Sequence, residues 1–115
     1  MPQDRKQLAS LKCVPCRGGT PPLTDSRINE MMPAVPSWTR IKQEGIDKIQ
    51  KSFKFKDFKT AVAFVNRVAD IAEEQGHHPD ILIEWNKVTL TLWTHAIKGL
   101  FDNDFIMAAK IDELK

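Results

Sequence analysis

The chain has 115 residues, of which 42% are apolar and 28% charged, so we expect one domain with a single core. Its 17 basic and 15 acidic residues are mixed along the chain and leave a net charge of only +2, which argues against a nucleic-acid-binding protein. No apolar run approaches the ~20 residues of a membrane span, and the polar stretch 1–12 lacks the apolar centre of a signal peptide. The expected location is therefore the cytoplasm.

Residues 1–23 have little periodicity and predict an extended or partly ordered arm ahead of a single domain at 24–115. The arm contains Cys13 and Cys16, spaced as CxxC. A structural zinc site usually needs four ligands, and no second CxxC or nearby histidine supplies the rest. A thioredoxin-like motif should follow a strand, whereas these cysteines lie among Lys, Pro and Gly. A metal or redox role stays open, and a reduced pair or a local loop constraint is the simpler interpretation.

The first part of the domain predicts one short helix and two strands. The helix should begin with Thr24 or Asp25 as N-cap and end before Pro33. A strand over 38–42, a turn at 43–45 and a strand over 46–55 follow. The lysines of the second strand predict an exposed or edge position in the sheet.

A long amphipathic helix is the clearest element of the sequence. Asp57 is a good N-cap, and apolar residues recur at helical spacing from Phe58 onward. Gly76 is suited to the left-handed position that ends many helices. We therefore predict a helix of 18 residues that ends at Gln75.

A hairpin and a final helix complete the chain. Apolar residues alternate from Ile81 and again up to Leu92, with a predicted two-residue turn at Asn86-Lys87. Asp102 or Asn103 is then expected to cap the last helix. The whole pattern predicts an α+β fold, in which helices pack on one face of a four-stranded antiparallel sheet.

The three histidines of the chain are predicted to lie close together. His77 and His78 precede the first strand of the hairpin, and His95 follows the second. Since a tight turn joins strands of similar length, their outer ends should lie one strand spacing apart. Asp104, in the first turn of the last helix, can reach the same end, where a helix N-terminus favours a carboxylate.

Three interpretations of this cluster compete. In the first, the imidazoles are rim residues that hydrogen-bond to the backbone. In the second, three histidines and one aspartate bind zinc or iron, although adjacent side chains such as His77 and His78 normally diverge and seldom share one ion. In the third, they perform acid/base catalysis on a small molecule, for which diverging imidazoles are useful because they address different faces of a substrate.

The spacing of these residues resembles the signature of the pterin-4a-carbinolamine dehydratases. An acidic Glu73 is followed after three residues by His77-His78-Pro79, after five by Trp85, after nine by His95 and after eight by Asp104. Seven positions at fixed spacing over 32 residues are a specific signal, whereas a lone His-His-Pro is not. The resemblance runs from about Trp38 to the C-terminus.

The resemblance implies a fold of the pterin carbinolamine dehydratase type and removal of water from 4a-hydroxytetrahydropterin, which gives quinonoid dihydropterin in the recycling of a tetrahydrobiopterin-type cofactor. It implies that His77 and His95 are the acid/base pair, which would serve both C4a epimers. His78 would shape the pocket and bind the pterin, and Asp104 would orient or tune an imidazole. The implied chemistry needs no metal and no organic cofactor, because the pterin is the substrate.

The same resemblance assigns three further positions to the substrate-binding region. Pro79 would fix the backbone after the histidine pair. Glu73 and Trp85 are closer to scaffold or pocket wall than to proton carriers.

The resemblance also implies a homodimer or homotetramer and raises an alternative function. Some members of the family act by binding proteins, as a transcriptional coactivator or as Rubisco assembly factors. The presence of His77, His78, His95 and Asp104 favours catalysis, because a binding module has no evident need for imidazoles at this spacing.

Overall fold

The computed structural model describes residues 5–14 and 18–114, so Cys16 and the predictions made for the cysteine pair lie outside the described residues. Within this part of the chain, no helix is long and apolar enough to cross a membrane. The regular elements are α1 (Arg5–Ala9), α2 (Asp25–Met31), β1 (Thr39–Gln43), β2 (Ile46–Lys54), α3 (Phe58–Gln75), β3 (Asp80–Glu84), β4 (Lys87–Leu92) and α4 (Asp102–Asp112). Two short 3₁₀ helices add to them, Met32–Ala34 and His95–Ile97.

The four strands form one antiparallel sheet in the order β1-β2-β4-β3. Helix α3 buries its apolar stripe, with Ala61 and Val68 fully enclosed, and α4 is buried along nearly its whole length. Both helices contact β4. The predicted α+β fold is confirmed, as are the N-caps Thr24 and Asp57 and the left-handed Gly76 at φ 66°.

The prediction that β2 is an exposed or edge strand was wrong. This strand pairs with β1 on one side and β4 on the other, so it is interior to the sheet. Its lysines are accommodated individually, because a long aliphatic stem can cross apolar surface while the ammonium group finds a partner. The Nζ of Lys51 lies 2.8 Å from an Asp112 carboxylate oxygen, and the Nζ of Lys48 lies 4.4 Å from the ring centroid of Trp93.

The hairpin turn and the N-cap of α4 differ from the predicted ones, whereas β1 and β2 shift by one residue at most. The hairpin turn is Trp85-Asn86 rather than Asn86-Lys87, because Asn86 is bound to the segment that follows β2: its side-chain N–H donates to the Phe55 carbonyl at 2.9 Å. The N-cap of α4 is Phe101 rather than Asp102 or Asn103. Its backbone N–H donates to the Asp104 carboxylate at 3.0 Å, and its carbonyl accepts from the Asp104 N–H at 3.0 Å, so the first turn is closed without a cap side chain.

The arm is more ordered than its composition predicts. Residues Arg5–Ala9 form α1, which packs on α4 and leaves Leu8 only 1% exposed. The Lys110 ammonium group also donates to the Ala9 carbonyl at 2.7 Å. A helix of one turn with one buried residue is too short to show a period in the sequence. It is stabilised by the tertiary contact instead. The division of the chain at residue 23 stays a prediction.

The Lys51–Asp112 pair gives a test of the interior position of β2. The Asp112 side chain is 3% exposed and accepts hydrogen bonds from Lys51 and from the indole N–H of Trp38 at 3.1 Å. Lys51→Met should lower the free energy of unfolding by about 2–4 kcal/mol, because it leaves a buried carboxylate without its counter-charge. Urea denaturation measures this. Lys54→Met, at an exposed position of the same strand, should change it by less than about 0.5 kcal/mol; equal effects in both variants would contradict the structural role of Lys51.

Candidate functional site

A cleft of about 420 Å³ opens at the end of the hairpin that lies opposite the Trp85-Asn86 turn. The arm, the end of α3, the segment after β4 and the first turn of α4 contribute its walls. The lining residues are Cys13, Val14, Gln75, Gly76, His77, His78, Trp93, Thr94, His95, Ala96 and Asn103. All three histidines therefore line one cleft.

The end of α3 places His77. Gly76 adopts the left-handed conformation, and the His77 backbone N–H then reaches back to the Ala72 carbonyl at 3.2 Å. This 6→1 hydrogen bond belongs to the Schellman motif, which reverses the chain direction at a helix end. His77 is consequently held on the turn itself, with its side chain only 11% exposed.

Asp104 lies behind His77 and is fully buried. One carboxylate oxygen is 2.6 Å from His77 Nε2, and the other accepts hydrogen bonds from the Thr94 hydroxyl at 2.8 Å and from the Phe101 N–H at 3.0 Å. A buried charge is tolerated when hydrogen bonds of this kind surround it. The carboxylate thus joins the end of α3, the end of β4 and the start of α4.

The same contact determines the tautomer of His77. A carboxylate only accepts hydrogen bonds, so the proton of the neutral imidazole resides on Nε2. Nδ1, which has no partner among the described residues, is left with a lone pair. An imidazole that is oriented in this way can accept a proton from a molecule in the cleft.

His78 points elsewhere. Its Nε2 is 2.5 Å from a Glu73 carboxylate oxygen, and the two side chains are 58% and 78% exposed. Since α3 ends between them, Glu73 lies on the last turn and faces the residue that follows the helix. The adjacent imidazoles diverge, one toward the interior and one toward solvent.

His95 is held by an aromatic contact. Its ring centroid lies 4.0 Å from that of Trp93, and the Trp93 indole N–H donates to Asp80 at 3.0 Å. The loop that carries His95 is closed by a hydrogen bond of 2.8 Å from the Thr94 N–H to the Gly99 carbonyl. Gly99 is needed there, because a Cβ on it would lie 2.7 Å from the Pro22 side chain.

Three predicted substrate-binding residues do not line the cleft. Glu73 contacts His78 from outside, and Pro79 only continues the turn. Trp85 is 66% exposed at the far turn, about 17 Å away along the five residues of β3. Trp85 therefore lies away from this cleft, and its role in substrate binding stays a prediction.

Several lining residues were missed from the sequence. Trp93 and Thr94 follow directly from the predicted hairpin, since both lie at its outer end beside His95. Gln75 and Asn103 carried no signal, because their importance comes from contacts with Cys13 and Val14, which are 62 and 89 residues away in the chain.

The Cys13 thiol is protonated and therefore weakly nucleophilic near neutral pH. Burial raises its pKa to about 11; the nearby Lys110 charge lowers the pKa and the Asp104 charge raises it, both by less. The thiol lies 3.7 Å from the Asn103 carbonyl oxygen, to which it donates. Cys13 is therefore a neutral, largely apolar lining residue near neutral pH.

Residues 5–14 and 18–114 contain no group of three His, Cys, Asp or Glu side chains arranged to hold a metal ion. Within the cleft, the reason is the divergence of His77 and His78, each of which uses one ring nitrogen for a different carboxylate. The residues described here do not fit a metal centre.

Comparison with known proteins identifies the relatives of this chain. The family model for pterin 4 alpha carbinolamine dehydratase matches residues 21–114. The chain belongs to this family. The match covers all of the sheet and α2 to α4, and it starts earlier than the resemblance at Trp38, whereas α1, Cys13 and Val14 precede it.

Solved structures agree with membership of the dehydratase family. A transcriptional coactivator/pterin dehydratase from Brucella melitensis is 41% identical, with a TM-score of 0.71 over 79% of this chain and 95% of the other. A pterin dehydratase-like protein identified as a RuBisCO assembly factor in the alpha-carboxysome is 27% identical, with a TM-score of 0.56 over 66% of this chain and 86% of the other.

The His77–Asp104 contact predicts a tautomer switch. In Asp104→Asn, the amide oxygen can still accept from Thr94 and Phe101, but the amide nitrogen then faces His77 and donates to it. Nitrogen NMR of ¹⁵N-histidine-labelled protein in alkaline solution should show the His77 proton on Nε2 in the wild type and on Nδ1 in the variant. His95 serves as the internal control and should not change; an unaltered His77 signal would contradict the assignment.

The raised pKa of Cys13 predicts slow alkylation. In a Cys16→Ser background, iodoacetamide should modify Cys13 about tenfold or more slowly at mildly alkaline pH than it modifies the same protein in urea, because little thiolate is present. The rate should keep rising until the pH approaches about 11. Mass spectrometry measures the rates, and equal rates in folded and unfolded protein would contradict the burial of this thiol.

Proposed function

We propose that this protein is a pterin-4a-carbinolamine dehydratase, which eliminates water from 4a-hydroxytetrahydropterin to give quinonoid dihydropterin. The observation that carries the proposal is the cleft itself, in which His77, oriented by buried Asp104, shares one opening with His95. A cleft of about 420 Å³ is of the size that small-molecule sites usually have.

The reaction needs two proton transfers. The bond between C4a and the hydroxyl oxygen breaks, and the hydroxyl takes a proton from a general acid so that it leaves as water. A general base removes the proton from N5, and the electron pair of that N–H bond forms the C4a=N5 double bond. No net proton is consumed, and the pterin is the substrate, so these steps require neither a metal nor an organic cofactor.

His77 suits the role of base. Its Nδ1 lone pair is available, and Asp104 stabilises the imidazolium that forms when a proton arrives. Thr94 and Phe101 hold Asp104 in place, so little reorganisation accompanies the transfer.

His95 suits the role of acid. It is exposed and can be reprotonated from water, and its contact with Trp93 keeps the ring at the cleft. The two histidines exchange roles for a substrate with the opposite C4a configuration. His78, held by Glu73, shapes the rim and binds the pterin.

We also propose a homodimer or homotetramer, which the two edges of the sheet support. Strands β1 and β3 are the sheet edges of the described chain, and their outer backbone groups have no strand partner within it. Edges of this kind are usual sites of pairing between subunits.

Protein binding is the second candidate function. It is favoured by the two similar structures, one described as a coactivator/pterin dehydratase and the other as a RuBisCO assembly factor. A protein that acts only by binding has no requirement for an oriented His77 facing a cleft, so activity separates the candidates.

The enzyme proposal predicts the behaviour of two histidine variants. With chemically generated 4a-hydroxytetrahydropterin in a stopped-flow spectrometer, the wild type should accelerate dehydration well above the rate in buffer. His77→Ala and His95→Ala should each lose about 10²-fold or more in kcat, which is a typical general acid/base contribution.

Two further variants serve as controls. His77→Gln can still donate to Asp104 and preserve the fold, yet it has no basic nitrogen, so it should be as inactive as His77→Ala. Lys54→Met, at an exposed position on β2, should retain wild-type activity. If the wild type does not accelerate dehydration over the rate in buffer, the enzyme proposal is wrong and the binding candidate is favoured. Full activity in His77→Ala and His95→Ala would contradict the proton-transfer roles.

A further inference from the structure

We propose that the N-terminal arm forms one wall of the substrate cleft through Cys13 and Val14, and that the arm anchor Asn103 is a positioning residue for pterin binding. The assignment rests on the proposed function, since it names the pterin as the ligand of this wall. Both arm residues line the cleft, and both precede the region that the family model matches.

Asn103 holds the arm by two hydrogen bonds. Its side-chain oxygen accepts from the Val14 N–H at 2.9 Å, and its side-chain nitrogen donates to the Val14 carbonyl at 2.6 Å. The amide thus pairs with the backbone of Val14 on both sides, as a neighbouring strand would. Asn103 is only 2% exposed, and a buried amide with both halves satisfied specifies one position of the segment it binds.

Further contacts hold the arm on the N-terminal side of Val14. The Cys13 N–H donates to the Gln75 side-chain oxygen at 2.9 Å, which ties the arm to the end of α3 next to His77. Farther from the cleft, Lys110 donates to the Ala9 carbonyl, and Leu8 is buried against the core. The arm therefore bridges α3 and α4, the two helices that place His77 and Asp104.

The chemistry of the wall complements that of the histidines. Cys13 presents a neutral thiol, and Val14 presents an apolar side chain that is 54% exposed although it lines a cleft. Imidazoles occupy other parts of the lining. A flat bicyclic ring has polar edges and apolar faces, so it fits a cleft in which an apolar wall accompanies proton-transfer groups.

Two positions separate an effect of the arm from a direct contact between Asn103 and the ligand. Asn103→Ala removes the double anchor. Lys110→Met loosens the arm from a position that does not line the cleft, and Lys110→Arg keeps a donor at that position. Gln50→Ala is the matched control, since it removes a side-chain hydrogen bond of 2.9 Å to Thr91 on the sheet, away from the cleft.

Three measurements are made on each full-length variant. Hydrogen exchange followed by mass spectrometry reports whether the amides of Cys13 and Val14 are still protected. Calorimetric titration with 7,8-dihydrobiopterin, a pterin that lacks the 4a-hydroxyl, gives Kd, and the dehydration assay gives kcat and KM separately.

We expect faster exchange of the arm amides in Asn103→Ala, with Kd and KM raised about tenfold and kcat within about twofold, because binding must then order a released segment. Lys110→Met should raise Kd about threefold on the same grounds, and Lys110→Arg and Gln50→Ala should match the wild type.

Other outcomes overturn the proposal in separable ways. Unchanged exchange in Asn103→Ala would refute the anchor. Faster exchange with unchanged Kd would refute the wall as a binding determinant, and a loss confined to kcat would place Asn103 in the proton-transfer machinery instead. A wild type that binds no dihydrobiopterin and accelerates no dehydration would overturn the proposed function, and the pterin assignment with it.

Discussion

The buried carboxylate of Asp104 is the interaction on which the site depends. It receives hydrogen bonds from His77 after α3, from Thr94 after β4 and from Phe101 at the start of α4. These three segments meet only when the hairpin, the long helix and the final helix are packed together. Because a buried charge without partners is costly, folding and assembly of the site are coupled. The proposed base is thereby oriented by the same contact that joins the elements.

The three histidines share a cleft but not an environment. His77 is nearly enclosed, His78 is exposed and paired with Glu73, and His95 rests against Trp93. Different surroundings give identical side chains different tasks, and an elimination that needs both an acid and a base requires such a difference. The arm adds an apolar component, so that the cleft combines proton-transfer groups with a surface suited to a ring.

The predictions that succeeded concern local order and chain reversal. The 18-residue helix α3, its Asp57 cap and its Gly76 end follow from apolar spacing and backbone preference, which act within a few residues. The shared neighbourhood of His77 and His95 follows from hairpin geometry alone. The predictions that failed concern contacts between elements that are distant in the sequence. The interior position of β2 depends on β1 and β4, and the Trp85-Asn86 turn depends on the contact between Asn86 and Phe55.

By itself, the amino-acid sequence determined the α+β fold, the long helix and the spacing that brings the histidines and Asp104 to one end of the hairpin. Only the tertiary structure decided which imidazole contacts Asp104, that Trp85 lies away from the cleft, and that Asn103 binds Val14 across 89 positions. The physical reason is the range of the forces involved. Periodicity and capping are properties of neighbouring residues, whereas a hydrogen bond between distant side chains exists only once packing has brought them within about 3 Å.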